Sequence, residues 1–260
     1  MQQIFLTPFL KYKYLLFQLI IREIKSRYKQ SILGYGWVLL NPLLQLLVYS
    51  FVFSVIFRFP TNNVPYSIFL FIGLLPWLYL QTAISSATLS LVDHSDLLRK
   101  VNFPREVLIY AVIIAKGIDF LFASLIVVPF LLFYHISISS TAILIIPLIF
   151  IQIILMTGIG LTISTLNLFY RDIQYLINLL LMMWMYLTPV VYPLSLVPKE
   201  WVFLYKLNPM VGLVEGYRSA VFNYPFDTGT IIWSAILSIA IFILGFITFK
   251  NFEGIFADIV

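Results

Sequence analysis

Residues 36–57 read GWVLLNPLLQLLVYSFVFSVIF. No ionisable Asp, Glu, Lys, Arg or His interrupts these 22 positions. Coiled as an α-helix they extend about 33 Å, the thickness of a bilayer's hydrocarbon core. Five more runs of the same grade follow, at 67–90, 108–133, 142–165, 174–191 and 230–249. The pattern predicts an all-α integral membrane protein with six transmembrane helices.

Composition agrees with that pattern. Of 260 residues, 62% are hydrophobic and 10% charged, with a mean hydropathy of +1.01. A soluble domain carries about 25% charged residues. So apolar a chain of 30.1 kDa cannot bury its surface as a soluble particle, and it is far too apolar for disorder. The absence of Cys excludes disulfides, thiol catalysis and thiolate metal sites. The apolar run at 14–21 is short, lacks a small-residue cleavage site and ends in Arg22-Glu23, so no cleavable signal peptide is expected.

The net charge of +5 sets topology rather than a nucleic-acid surface. With the N-terminus inside, inner segments hold Lys11, Lys13, Arg22, Lys25, Arg27, Lys29, Arg99, Lys100, Arg105, Arg171 and Lys250. Outer segments hold Arg58, Lys199, Lys206 and Arg218, and Lys116 falls within a span. Eleven against four places both termini in the cytoplasm. Two regions stand apart from the spans. Residues 1–34 carry Lys11, Gln18, Arg22, Lys25 and Lys29 on one helical stripe, opposite Leu10, Phe17, Ile20, Ile21, Ile24 and Tyr28. That is a basic amphipathic helix suited to the membrane interface, either as an anchor or as a cationic ledge for an anionic lipid-linked substrate. The rest, 35–260, is the six-helix transmembrane domain, with an inner loop at 91–107 and a long outer segment at 193–228. The latter holds Pro193, Pro198, Pro209 and Pro225 around two apolar stretches, which suits short re-entrant helices, with Glu215 and Arg218 paired at i,i+3.

Catalytic motifs are missing. There is no phosphate loop, GxSxG or HExxH, and the two histidines fall on opposite sides of the membrane. No metal and no cofactor is expected. Lys116 and Asp119, at i,i+3 within the third span, read either as a structural pair or as a polar surface facing a pore. Two further patterns cross the membrane. Asn41, Gln45, Tyr49 and Phe53 repeat every four residues on the first span. Asn178, Met182, Met185, Pro189 and Tyr192, spaced by four and three in turn, form another on the fifth, flanked by Trp184 and Tyr186. Amides and ring faces suit a sugar polymer, and they equally suit contacts between helices. The inner loop 97–106, LLRKVNFPRE, reads either as a solvated connector or as a docking element for a cytosolic partner.

In their order and spacing these segments resemble the membrane subunit of bacterial ABC polysaccharide exporters of the O-antigen, capsule and teichoic-acid type. The resemblance covers nearly the whole chain. It is carried by Arg22-Glu23-x-Lys25-x-Arg27-Tyr28, Leu33-Gly34-x-x-Trp37, Asn41-Pro42, Asn102-Phe103-Pro104-Arg105-Glu106, Tyr170-Arg171-Asp172-Ile173 and Thr188-Pro189-Val190-Val191-Tyr192-Pro193, followed by Asn208-Pro209 and Glu215–Arg218. It implies a homodimer in the bacterial inner membrane, embedded in membrane lipids, with a channel bounded by the first and fifth helices. Asn41, Gln45, Tyr49, Phe53, Asn178, Met182, Trp184, Tyr186 and Tyr192 would then line that channel. Two ABC ATPase subunits, which bind the ATP, would dock on Leu98, Arg99, Lys100, Asn102, Phe103, Pro104, Arg105 and Glu106. Arg22, Lys25 and Arg27 would steer an undecaprenyl-diphosphate-linked glycan. Rival readings are a permease for a drug or small lipid, a membrane glycosyltransferase and an ion-coupled transporter. The second needs clustered catalytic groups that the sequence lacks, and the third rests on Lys116 and Asp119 alone.

Overall fold

The computed structural model describes residues 12–29, 31–57, 64–137 and 140–259. Among these residues the chain is helical, without a strand. Helix α1 covers Lys13–Tyr28. Gly34, at φ +50°, makes the left-handed joint into the first span. That span runs Gly34–Ile56, with α2 (Trp37–Ser50) at its centre and a wider π turn, Phe51–Ile56, at its end. Helix α3 (Tyr66–Asp93) leads to the short α4 (Ser95–Lys100). Helices α5 (Glu106–Ser124) and α6 (Val127–Phe133) together form the next span, and α7 (Ile145–Phe169) the one after it. Then come α8 (Ile173–Tyr186), α9 (Lys199–Lys206), α10 (Pro209–Phe222), α11 (Thr228–Phe252) and α12 (Phe256–Ile259).

Five of the six apolar runs yield helices long enough to cross a bilayer. The fifth run differs. Helix α8 has only 14 residues, about 21 Å, because the chain leaves the helix before Pro189. Proline supplies no N–H and disfavours helical geometry in the residue preceding it. Residues 187–192 therefore turn at the end of α8 instead of extending it.

Helix α3 is the hub, touching α2, α5, α7, α8 and α10. Ile68, Leu70, Phe71, Leu74, Trp77, Leu80, Ala83 and Ala87 are fully buried along it. Since lipid tails are as apolar as leucine, association within a membrane depends on close backbone approach and polar contacts. Both are present. Helices α7 and α11 meet where Gly158 and Gly245 face each other's backbones, and a Cβ built on Gly158 would stand 2.5 Å from Phe242 Cα. Inside the bundle, Gln152 Nε2 donates to Pro76 O (2.7 Å), an acceptor in a proline-interrupted turn, while Gln152 Oε1 accepts from the Tyr217 hydroxyl (2.9 Å).

One end of the bundle gathers the charges. Lys250 Nζ reaches both Glu106 (2.9 Å) and Glu253 (2.8 Å), Glu253 Oε1 accepts from Arg105 N (3.0 Å), and the Arg105 guanidinium lies over Phe256. His94 and Glu23 approach to 4.0 Å at the same end, tying α1 to the end of α3. Helix α1 turns Leu15, Leu16, Leu19 and Ile20 to the bundle, with Leu19 buried, and leaves Tyr14 and Phe17 exposed. Phe17 thus lies off the bundle-facing side, where Leu19 is the buried residue. The opposite end is closed by Tyr66 OH to Val191 O (2.6 Å), Ser67 to Tyr134 (2.8 Å) and Thr141 to Ala220 O (3.0 Å).

The glycine contact predicts a stability effect. Gly158→Ala overpacks the α7–α11 seam and should cost about 1–3 kcal/mol, read as a lower melting temperature of the detergent-solubilised protein. Gly254→Ala, at a position open to space, should leave that temperature unchanged.

Candidate functional site: an intramembrane cleft beside two exposed stripes

The end of α8 shapes everything near it. Outside the helix, the carbonyls of residues 187–191 lose their intrahelical donors and need others. Asn208 Nδ2 donates to Leu187 O (3.3 Å) and to Thr188 Oγ1 (2.8 Å), and Asn208 Oδ1 accepts from Trp184 Nε1 (2.9 Å). Arg218, with no exposed surface, sends Nη1 to Pro189 O and Nη2 to Val190 O, both at 2.6 Å. Its Nε reaches Phe69 O (3.4 Å), its Nη1 also meets Glu215 Oε1 (2.8 Å), and its plane lies 3.7 Å from the centre of the Phe69 ring. Only a guanidinium presents enough donors in one fork for this task. Gly73 makes room for it, since a Cβ there would come within 2.6 Å of Nη2. The i,i+3 partner Glu215 follows from the sequence; the three carbonyls do not.

On α2, Gln45 Nε2 donates to Asn41 Oδ1 (2.9 Å), and Tyr49, Phe53 and Phe57 form a ladder with centroids 6.5 and 5.6 Å apart. On α8, Asn178 Oδ1 accepts from Ser85 on α3 (3.0 Å), and Met182 and Tyr186 are about half exposed. Trp184 and Tyr192 instead turn into structural contacts. Trp184 packs edge-on against Trp77, and the Tyr192 hydroxyl donates to Tyr186 O (2.7 Å) and meets Tyr205 (3.0 Å).

Between α2, α3 and α5 lies a cleft of about 260 Å³. Asn41 sits at its edge with Trp37, Tyr79 and Thr82 around it, and Lys116 and Asp119 share its α5 wall. Asp119 Oδ1 accepts from the Tyr35 hydroxyl at 3.0 Å. The sequence places the two charges on one helical face, and folding adds the rings and amide from other helices.

At the charged end, the 97–106 loop is pinned by buried Leu98, Phe103 and Glu106, the last held by Lys250. Arg99, Lys100, Val101 and Asn102 remain exposed, and Pro104 and Arg105 are half-buried. Arg22 and Lys25 are exposed on α1, while the Arg27 side chain lies outside the described residues. Lys250 is the partner that the sequence did not supply, since it enters there only as one more inner cation. Among the described residues no group of three His, Asp or Glu side chains gathers as metal ligands.

Two ties invite measurement. Arg218→Met strands buried carbonyls and the Glu215 carboxylate, so unfolding in detergent should come about 3–5 kcal/mol easier. Arg218→Lys should recover little of that, because one ammonium cannot span the fork. Asp227 caps α11 through Thr230 N (3.1 Å) and Thr230 Oγ1 (2.7 Å) and binds Lys206 (2.7 Å). The Lys206 and Thr230 hydrogen bonds hold its carboxyl at about 2. A carboxyl held low stabilises the fold above its ordinary range and loses that contribution as pH falls towards 2. The melting difference between wild type and Asp227→Asn should therefore be constant from pH 7 to 5 and shrink below about pH 4.

The profile of the ABC-2 type transporter family matches residues 14–222, taking in α1 and every element through α10. An O-antigen export system permease protein, RfbA, of Klebsiella pneumoniae is 30% identical over 249 residues, covering 94% of this chain and 95% of the relative. Its counterpart in Myxococcus xanthus is 33% identical over 82% of each chain. The polysialic acid transport protein KpsM of Escherichia coli is 26% identical over 78% of this chain and 79% of its own length. The chain is a multi-pass membrane protein of the ABC-2 type transporter family.

Proposed function

We propose that this chain is the transmembrane subunit of an ATP-driven exporter that moves a lipid-linked, O-antigen-like polysaccharide out of the cytoplasm. The observation that carries the reading is its near full-length likeness to permeases named for O-antigen export. The geometry supports it. A lone amide against hydrocarbon is costly, and TM polar groups face protein or water. The exposed Asn41–Gln45 pair and Asn178 therefore favour a lumen or a partner protein over lipid.

A homodimer in the bacterial inner membrane, joined around these stripes, would enclose a lumen whose rings and amides suit a sugar chain. The exposed Arg99, Lys100 and Asn102 form the surface that a separate ATPase would grip, with both termini on the same cytoplasmic side. Exposed Arg22 and Lys25 suit a lipid diphosphate, as charge-assisted donors at the membrane interface. An undecaprenyl carrier fits that chemistry.

The test is reconstitution. In proteoliposomes the chain with its ATPase should hydrolyse ATP and move labelled lipid-linked glycan, while the chain alone hydrolyses none. Hydrolysis by the chain alone, or transport of a small drug in preference to glycan, would overturn the reading. Arg105→Glu sets a third carboxylate beside Glu106 and Glu253, with Lys250 their shared cation. It should cut glycan export at least fivefold relative to ATP hydrolysis. Tyr49→Ala with Tyr186→Ala should lower export about tenfold while leaving the assembled complex intact on size-exclusion chromatography.

A further inference from the structure

The cleft between α2, α3 and α5 is not accounted for by anything above. Lys116 stands ten residues into α5, about 15 Å from the charged end, so an ion pair's worth of side chains lines a cavity well inside the membrane. Ionisable groups at such depth are costly, and they persist at substrate paths or in mutual neutralisation. Asp119 is already held by the Tyr35 hydroxyl at 3.0 Å. Both charged side chains line an open space of about 260 Å³, below the range of drug-sized pockets, which suits one ring rather than a large ligand.

The lining also discriminates between ligands. One cation and one anion sum to zero, so the cleft has no net attraction for a bare phosphate. A neutral ring with many hydroxyls meets a carboxylate acceptor at Asp119, a donor at Lys116, an amide at Asn41 and a hydroxyl at Thr82. Trp37 and Phe120 offer apolar ring faces of the kind that pack on sugar C–H groups. Asn41 belongs both to this lining and to the exposed α2 stripe, and Thr82 lies one turn from Ser85, the partner of Asn178. The cleft thus opens beside the stripes.

We propose that the cleft is a binding subsite for a single neutral sugar unit, an alcove in the wall of the export path where Lys116 and Asp119 hydrogen-bond its hydroxyls. The proposal rests on the glycan-export reading and adds to it a specific point of recognition.

The absence of native cysteine permits a direct test in the full complex with its ATPase. Thr82→Cys and Leu44→Cys place one thiol in the cleft and one on an exposed apolar position outside it. Unlinked repeat-unit oligosaccharide should slow modification of the Thr82→Cys thiol by a small methanethiosulfonate at least fivefold and leave the Leu44→Cys rate unchanged. Adding Asp119→Asn or Lys116→Met to Thr82→Cys should raise the oligosaccharide concentration needed for protection about tenfold or more, the loss expected for hydrogen bonds to charged groups. Equal protection at both thiols, protection by undecaprenyl phosphate but not by oligosaccharide, or undiminished protection in both charge variants would overturn the alcove. Should either variant fail to assemble, the single-cysteine comparison decides alone. Glycan export measured in parallel separates the two ideas. Export without cleft protection removes only the alcove, and a wild type that exports no glycan removes the larger reading.

Discussion

The structure turns on one buried guanidinium. A membrane-spanning helix that stops short exposes carbonyls where water is scarce, and each unpaired one costs several kcal/mol. Arg218 binds two of them and the Phe69 carbonyl of α3, with Asn208 and Tyr66 completing the set. Through these bonds the end of α8, the start of α3 and the whole of α10 are fixed together. Burying a charge is worthwhile only if its donors are used, and here Glu215 supplies the counter-charge. The exposed face of α8, with Asn178, Met182 and Tyr186, inherits its orientation from that arrangement.

Much of this architecture was legible in the sequence because bilayer thickness is a strict ruler. Long apolar runs, prolines at their ends and the grouping of cations give the helices and the order of the loops with little ambiguity. The length of α8 was not legible from hydropathy, which counts Pro189, Val190 and Val191 as apolar whether or not they are helical. Nor was the side of a stripe. Trp184 flanks the stripe and Tyr192 continues its spacing past the end of α8, yet their polar atoms find Asn208 and Tyr205 and turn them inward. Such choices depend on partners 24 and 13 residues away, which no local spacing encodes.

The opposite end shows a similar economy of means. Glu106, Lys250 and Glu253 join the start of α5 to the end of α11, and Glu253 also accepts from the Arg105 backbone. The loop that the family resemblance links to an ATPase is thus fastened to the last span as well as to its own helices. A displacement of Arg105 is therefore felt at both ends of the sequence, since α1 is tied to the same region through Glu23 and His94.

The brevity of α8 has a consequence for the surrounding lipid. A helix of about 21 Å standing among spans of 23 to 30 residues leaves close to 9 Å of a typical 30 Å hydrocarbon slab unmatched. Lipid facing that side must thin, or a second polypeptide must cover the gap. Either way the apolar length along α8 is shorter than along the five longer spans. In the proposed exporter, a hydrophilic polymer passing beside α8 would have that much less nonpolar distance to cross.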